Sequence, residues 1–94
     1  MKEANYQNLS SQVRQMKNFT VYSKDGCPYC DKVQEVLKLA GLNFVTYKLG
    51  KNFDKEGFIS EFGEGATFPQ VVLNGQKLGG CSKTVKYLQE KQLV

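Results

Sequence analysis

The sequence predicts an α/β fold, a four-stranded mixed β-sheet flanked by helices. Residues 19–48 show the pattern strand, helix, strand over the length of one parallel βαβ unit. Further along, Asn74-Gly75 separates two strand-like runs, as in an antiparallel hairpin. A parallel unit joined to a hairpin gives a mixed sheet. With 94 residues, 40% of them hydrophobic, the chain suits one small domain over residues 1–94.

The first segment, residues 1–18, is predicted to form an amphipathic helix. Its apolar residues recur at helical spacing, at Tyr6, Leu9, Val13 and Met16. We interpret this helix as a packing element on an α/β core that covers residues 19–94.

The next segment alternates between strand and helix character. NFTVYS is β-branched and aromatic, which predicts a strand over residues 19–23. From Pro28 to Ala40 apolar residues recur at i, i+3, i+4 and i+7, which predicts a helix, and Gly41 is suited to end it. Residues 43–48 then restore strand character.

The last part of the core is predicted to hold two helices around a hairpin. A short helix follows Asp54 and ends at the glycine-rich GEGA. Its buried face is predicted to consist of Phe58, Ile59 and Phe62. The run FPQVVLNGQKLGG predicts the hairpin. The final helix is predicted to carry three apolar residues on one face: Cys81, Val85 and Leu88.

Composition and charge argue against several classes of protein. No apolar run approaches the roughly 20 residues of a membrane helix, and residues 1–11 lack the apolar stretch of a secretory signal, so we expect a cytoplasmic protein without membrane contact. Three cysteines are too few for a disulfide-stapled secreted domain. The net charge of +4 comes from scattered lysines, which disfavours nucleic acid but suits acidic proteins or an anionic thiol.

The most informative motif is CPYC at residues 27–30. Proline is favoured at the first helical position, so Pro28 predicts that the helix begins there and that Cys27 is its N-cap. A Cys27 thiolate would accept from the N–H of Tyr29 or Cys30 beside the positive end of the helix dipole, which lowers its pKa. Cys30 shares that face one turn on and is expected to be more buried. Position therefore predicts catalytic roles for both: Cys27 as an exposed attacking thiol and Cys30 as a buried resolving thiol.

A metal site is a weaker interpretation of the same cysteines. A structural zinc site needs four ligands, and the chain has no histidine, while Cys81 alone cannot complete the set. We therefore predict no metal site. A CxxC pair that follows a strand and opens a helix in a βαβ pattern instead indicates thiol–disulfide chemistry.

With these motifs in place, the sequence resembles the glutaredoxins, which belong to the thioredoxin-fold family. The resemblance covers residues 18–90 and depends on CPYC at 27–30, TFP at 67–69 and GGC at 79–81, in matching order and spacing. It implies a thioredoxin-like fold for the core. The N-terminal helix is additional to the shortest members, and longer members have a similar one.

The resemblance also implies a glutathione site. Pro69 matches a cis proline beside the cysteines, and Phe68 before it matches the residue that offers its backbone N–H and C=O to glutathione. Lys24 matches a lysine that binds the glycine carboxylate, and Tyr29 matches one wall of the groove. The implied glutathione-binding residues are Lys24, Tyr29, Phe68, Pro69, Gly80, Cys81 and Ser82.

The region from Gly79 onward both matches the family and departs from it. Gly79 and Gly80 match a pair that lets the backbone approach the ligand. The N–H groups that open the last helix can receive a carboxylate. However, Ser82 and Lys83 replace an acidic pair that binds the amino end of glutathione in the family. Cys81 itself is open to three interpretations, a buried apolar residue, a regulatory thiol or a ligand contact, of which we favour the first.

The implied function is that of a glutathione-dependent thiol–disulfide oxidoreductase, which reduces protein disulfides and glutathione mixed disulfides through Cys27 and Cys30. Glutathione would be a co-substrate, with no tightly bound cofactor. The expected partners are disulfide-containing or glutathionylated proteins, ribonucleotide reductase among them, and the expected state is a monomer. Two alternatives stay open: a thioredoxin-like protein disulfide reductase, which the missing acidic pair favours, and an iron–sulfur cluster-binding module, which Pro28 disfavours.

Overall fold

The computed structural model describes residues 18–93, so the helix predicted for residues 1–18 lies outside the described residues apart from Asn18. The described elements follow in the order β1 (Phe19–Ser23), α1 (Pro28–Leu39), β2 (Phe44–Lys48), α2 (Lys55–Phe62), β3 (Gln70–Leu73), β4 (Gln76–Gly79) and α3 (Cys81–Glu90). The predicted order of strands and helices after residue 18 is confirmed. Within this range no helix is long and apolar enough to cross a membrane.

The four strands form one mixed sheet in the order β2-β1-β3-β4. β1 and β2 are parallel, with Phe19 opposite Phe44, whereas β3 is antiparallel to both β1 and β4. Asn74 and Gly75 form the hairpin turn with φ angles of 49° and 87°. Positive φ at both central residues is what a type I′ turn requires, and Asn-Gly tolerates it best.

One face of the sheet packs against α1 and α3 and forms the core. Its buried residues are Phe19, Val21, Val33, Leu37, Leu42, Val71, Leu73 and Leu88. In α3 the buried positions are Thr84 and Leu88, while Cys81 and Val85 are only half-buried. The prediction is confirmed at Leu88, whereas Thr84 is buried in place of Val85, which lines a groove beside α1. Cys81 lines the same groove and also packs against the core.

A glycine ends α1 and returns the chain to the core. Gly41 has a φ of 72°. Its N–H donates to the Lys38 carbonyl over 3.0 Å, and the Leu42 N–H donates to the Leu37 carbonyl over 3.1 Å. These two bonds form a Schellman motif, which satisfies carbonyls that the helix end would leave unpaired.

The other face of the sheet carries six aromatic rings and α2. We call them the aromatic cluster: Tyr22, Tyr47, Phe53, Phe58, Phe62 and Phe68. Phe58 is buried, whereas Ile59 and Phe62, also predicted to be buried, are half-buried. The Asp54 carboxylate accepts from the Gly57 N–H over 2.8 Å and caps α2 at the predicted start.

Candidate active site

Cys27 and Cys30 form a disulfide at the N-terminus of α1, with their Cα atoms 5.2 Å apart. Cys27 is the N-cap and Pro28 opens the helix, as predicted. The Cys30 N–H donates to Cys27 Sγ over 3.2 Å. Because an N-cap sulfur lies at the positive end of the helix dipole, reduction of the disulfide would leave a stabilised thiolate at Cys27.

The two cysteines differ in burial, although less than predicted. Cys27 is 8% exposed and Cys30 is 1% exposed. The rank order agrees with the predicted roles, but Cys27 is not an exposed side chain in this oxidised state. Its sulfur is bonded to Cys30 and accepts from the Cys30 N–H, so a substrate can approach it only from a limited solid angle.

The turn before Cys27 is tied to the neighbouring strand. Ser23, the last residue of β1, is buried, and its hydroxyl donates to the Tyr47 carbonyl over 3.3 Å. Gly26 has a φ of 67°, which lets the chain turn into α1. Asp25 forms an ion pair of 3.0 Å with Lys48 of β2. The strand, the turn and the helix start therefore hold the disulfide just beyond the C-terminal end of β1, an inner strand of the sheet.

An open cleft of about 410 Å³ lies beside the CPYC turn. Three separate segments line it: Tyr29 of α1, residues 67–70 before and into β3, and residues 79–83 at the start of α3. The Phe68–Pro69 peptide is cis, as the resemblance implies, and Pro69 is buried at the base of this segment.

The structure brings together six of the seven residues implied for glutathione binding. Those that line the cleft are Tyr29, Phe68, Pro69, Gly80, Cys81 and Ser82. Lys24 is outside the lining, and its Nζ lies 5.3 Å from the centre of the Phe68 ring. Its charge is therefore at the rim of the cleft.

The start of α3 presents backbone N–H groups to the cleft. Gly80 is the N-cap and no side chain caps the helix. The first N–H groups of a helix have no partner within it and can bind an anion. Gly79 has a φ of 106°, and a Cβ there would come within 2.8 Å of Lys83 Cδ. The aliphatic part of Lys83 thus covers Gly79, and any larger residue at position 79 would displace it.

Three residues of the cleft were not predicted as site residues: Thr67, Gln70 and Lys83. Gln70 Nε2 donates to the Thr67 carbonyl over 2.9 Å, which braces the turn before β3. Thr67 belongs to the TFP motif and Lys83 directly follows Ser82. Their closeness in sequence to residues already implied for the site could therefore have predicted them. Glu61 does not line the cleft and forms an ion pair of 3.3 Å with Lys77.

Cys81 is a free, half-buried thiol in the cleft wall, where it also packs against the core. Burial raises the pKa of Cys81, and the nearby charge of Lys32 opposes that shift. A raised thiol pKa keeps Cys81 protonated at neutral pH, which makes it a poor nucleophile. Among residues 18–93 no three His, Cys, Asp or Glu side chains cluster as a metal site would require.

Comparison with known proteins identifies the family. The glutaredoxin family model matches residues 19–78, a range that includes the disulfide and the cis proline. The chain belongs to the glutaredoxin family. A glutaredoxin of Vernicia fordii is 34% identical over 77 residues, which are 79% of this chain and 74% of the relative.

Two further glutaredoxins illustrate the match in sequence and in fold. Glutaredoxin 3 of Escherichia coli (strain K12) is 34% identical over 67 residues, 70% of this chain and 80% of the relative. The crystal structure of a buckwheat glutaredoxin–glutathione complex superposes with a TM-score of 0.68 at 23% identity, covering 92% of this chain and 81% of the other. This glutaredoxin therefore has the thioredoxin-like fold, and with its Cys27–Cys30 pair it is a thiol–disulfide oxidoreductase.

Proposed function

We propose that this glutaredoxin takes its electrons from glutathione and reduces both protein disulfides and glutathione mixed disulfides. The observation that carries the proposal is the cleft of about 410 Å³ beside Tyr29 of the CPYC turn, because its lining includes six residues that the family resemblance implies for glutathione. The buckwheat relative with the same fold was crystallised with glutathione, which supports the proposal.

Glutathione is an extended tripeptide with two carboxylates, and the cleft offers a group for each part. Phe68 lies just before β3, which begins at Gln70, so its backbone can pair with an extended ligand beyond the strand. The uncapped N–H groups at Cys81 and Ser82 suit one carboxylate. Lys24 at the rim suits the other, and Tyr29 closes the side of the cleft. The cysteine of the ligand would then face Cys27.

The reaction of a glutathione mixed disulfide proceeds by two thiolate attacks. The Cys27 thiolate attacks the glutathione sulfur, the S–S bond breaks, and the target protein leaves as a thiolate that takes up a proton. Cys27 is then bonded to glutathione. A second glutathione thiolate attacks the sulfur of that bound glutathione, which releases oxidised glutathione and regenerates the Cys27 thiolate.

A protein disulfide is reduced through both cysteines. Cys27 attacks one sulfur of the target, and Cys30 then attacks Cys27 Sγ, which releases the target as a dithiol and leaves the disulfide seen in the structure. Two glutathione molecules return it to the dithiol with release of oxidised glutathione. Cys30, at 1% exposure, can reach Cys27 but is shielded from a substrate, which suits the resolving role.

The proposed partners are glutathionylated or disulfide-containing proteins, with ribonucleotide reductase among them. The proposed setting is the cytoplasm, where thiols are kept reduced and a dithiol enzyme has a supply of glutathione. We further propose that the protein acts as a monomer, since both cysteines and the whole cleft come from one chain.

The test is reduction of a mixed disulfide between glutathione and a small thiol, coupled to glutathione reductase. Wild type, Cys27→Ser and Cys30→Ser are compared after far-UV circular dichroism has shown that each is folded. We expect no turnover for Cys27→Ser and partial turnover for Cys30→Ser, because the mixed-disulfide route needs only the first thiol. A folded wild type that accepts electrons from thioredoxin reductase but not from glutathione would overturn the proposal.

A further inference from the structure

A second open groove adjoins the cleft on the side of α1. It has a volume of about 530 Å³ and lies between the first turns of α1 and the exposed side of α3. Its lining includes Tyr29, Lys32, Cys81, Ser82, Val85 and Lys86. Tyr29, Cys81 and Ser82 line both cavities, so the groove and the cleft meet beside the CPYC turn.

The charges on this groove are of one sign. Lys32 projects from α1 and Lys86 from α3, and both are exposed. Within residues 18–93 neither is in an ion pair, whereas Lys48 and Lys77 elsewhere on the surface are paired with Asp25 and Glu61. No Asp or Glu lines the groove. Two unpaired lysines on one groove give it a positive potential, which favours an anionic occupant.

The groove also has an apolar floor. Val85 and Cys81 are half-buried, and Tyr29 is 64% exposed although it is a large ring beside the disulfide. Aromatic rings with one polar end are common at surfaces that bind other proteins, because they bury a large area with little loss of side-chain entropy. The combination of cationic walls and an apolar floor suits a peptide segment better than a simple ion.

We propose that this groove binds an acidic segment of the protein substrate next to the cysteine that is being reduced, and that Lys32 and Lys86 determine this specificity. The inference rests on the proposed function. Tyr29 lies between the two cysteines in sequence and lines both cavities, so with glutathione in the cleft the groove is the adjoining surface open to the protein half of a mixed disulfide. Opposite charges across such a surface raise the rate of encounter and select among partners.

The experiment uses two glutathionylated peptides that differ only beside the cysteine, one with Asp and Glu and one with Asn and Gln. The measured quantity is the ratio of kcat/KM for the acidic peptide to that for the neutral peptide, at low salt. Wild type is compared with Lys32→Gln/Lys86→Gln. The matched control is Lys38→Gln/Lys55→Gln, which removes the same charge from exposed lysines of α1 and α2 that do not line the groove.

We expect the wild-type ratio to exceed one and to fall by about 3- to 10-fold in Lys32→Gln/Lys86→Gln, the size expected for two exposed charge pairs. The control variant is expected to keep most of the wild-type ratio. Raising the salt concentration should bring the wild-type ratio towards one, because the pairs are exposed.

Three results would overturn the inference. A wild-type ratio near one, or an equal fall in the control variant, would mean that the groove does not select acidic segments. Inhibition by inorganic phosphate beyond that of chloride at the same ionic strength, present in wild type and lost in Lys32→Gln/Lys86→Gln, would assign the groove to a small anion instead. Turnover of the small mixed disulfide separates the two proposals: if it persists while the ratio is one, only the groove is wrongly assigned, and if it is absent, both fail.

Discussion

The two faces of the sheet are built in different ways. The face towards α1 and α3 is closed, and its eight core residues are 0–6% exposed. The other face carries the aromatic cluster, in which Phe58 is buried but Tyr47 is 39% exposed and the other four rings are half-buried. The closed face holds the starts of α1 and α3 against the sheet, and these carry the disulfide and one side of the cleft.

The aromatic cluster influences the cleft in a different way. The Phe68 ring stacks on Phe58 with centroids 4.2 Å apart and planes inclined by 11°, and Phe68 directly precedes the cis Pro69. This face thus orients one segment of the cleft through side-chain stacking, whereas the closed face positions whole helices. We therefore expect the free energy of unfolding to depend mainly on the closed face. The aromatic cluster should add smaller contributions that can be measured one contact at a time.

The largest expected effect is on the closed face. Leu37→Ala should lower the free energy of unfolding by about 2–5 kcal/mol, because Leu37 is fully buried between α1 and the sheet. Urea unfolding of the oxidised protein, followed by far-UV circular dichroism, measures the loss. The matched control is Leu39→Ala in the same helix, 81% exposed, which should change stability by no more than about 0.5 kcal/mol. Similar losses for both would contradict the comparison.

The next effect concerns the stacked rings. A double-mutant cycle of Phe58→Leu and Phe68→Leu should show a coupling of about 0.5–1.5 kcal/mol beyond the two single losses, because stacking depends on both rings. The control cycle pairs Phe68→Leu with Phe44→Leu, since Phe44 packs against the core on the other face. That pair should be additive. A strictly additive Phe58–Phe68 pair would show that the rings contribute only buried area.

A smaller effect is expected at the rim of the aromatic cluster. Lys77 forms an ion pair of 3.3 Å with Glu61, and its Nζ lies 5.4 Å from the centre of the Phe62 ring. Lys77→Met should lower the free energy of unfolding by about 0.2–1 kcal/mol, and by less at high salt, because the ion pair is exposed. The control is Lys51→Met, since no ion pair involves Lys51 within residues 18–93. Equal changes in urea midpoint for the two variants would show that this contact contributes nothing.

The smallest expected effect is on the titration of two side chains, Cys81 beside the closed face and Tyr22 in the aromatic cluster. Burial raises the pKa of Cys81 beside the closed face, and Lys32 partly offsets the rise. On the other face the pKa of Tyr22 is raised by burial and then by Glu61 and Tyr47. A raised thiol pKa stabilises the folded state fully below the pKa of an unfolded thiol, and that contribution is lost as pH rises through the folded value.

Alkylation of the oxidised protein tests this directly, because Cys81 is then its only free thiol. Reaction with iodoacetamide should begin at a higher pH than in a short cysteine peptide, and Lys32→Gln should move it higher still. On the aromatic face, Glu61→Gln should lower the pKa of Tyr22, as measured by NMR of ring-labelled tyrosine. If Cys81 reacts at the same pH as the peptide, its thiol pKa is not raised and the prediction is wrong.

Local signals in the sequence predicted most of the fold. Pro28, Gly41 and Asn74-Gly75 each act through the dihedral angles or hydrogen bonds of a few neighbouring residues, and the structure places a helix start, a helix end and a hairpin turn there. Three predictions were less accurate. Cys27, bonded to Cys30, is largely buried, and Thr84 replaces Val85 on the buried face of α3. In α2, Ile59 and Phe62 are half-buried rather than buried. All three depend on tertiary contacts that spacing alone does not encode.

By itself, the sequence determined the order of strands and helices, the position of Cys27 at the start of α1 and the thiol–disulfide chemistry that follows from it. Those properties depend on residues close together in the chain. The family resemblance implied that Tyr29, Phe68 and Ser82 belong to one site, and the tertiary structure brings them into one cleft. Only the tertiary structure decided that Lys32 and Lys86 line the same groove beside it. The pairing of strands and the packing of α1 against α3 bring these distant segments together.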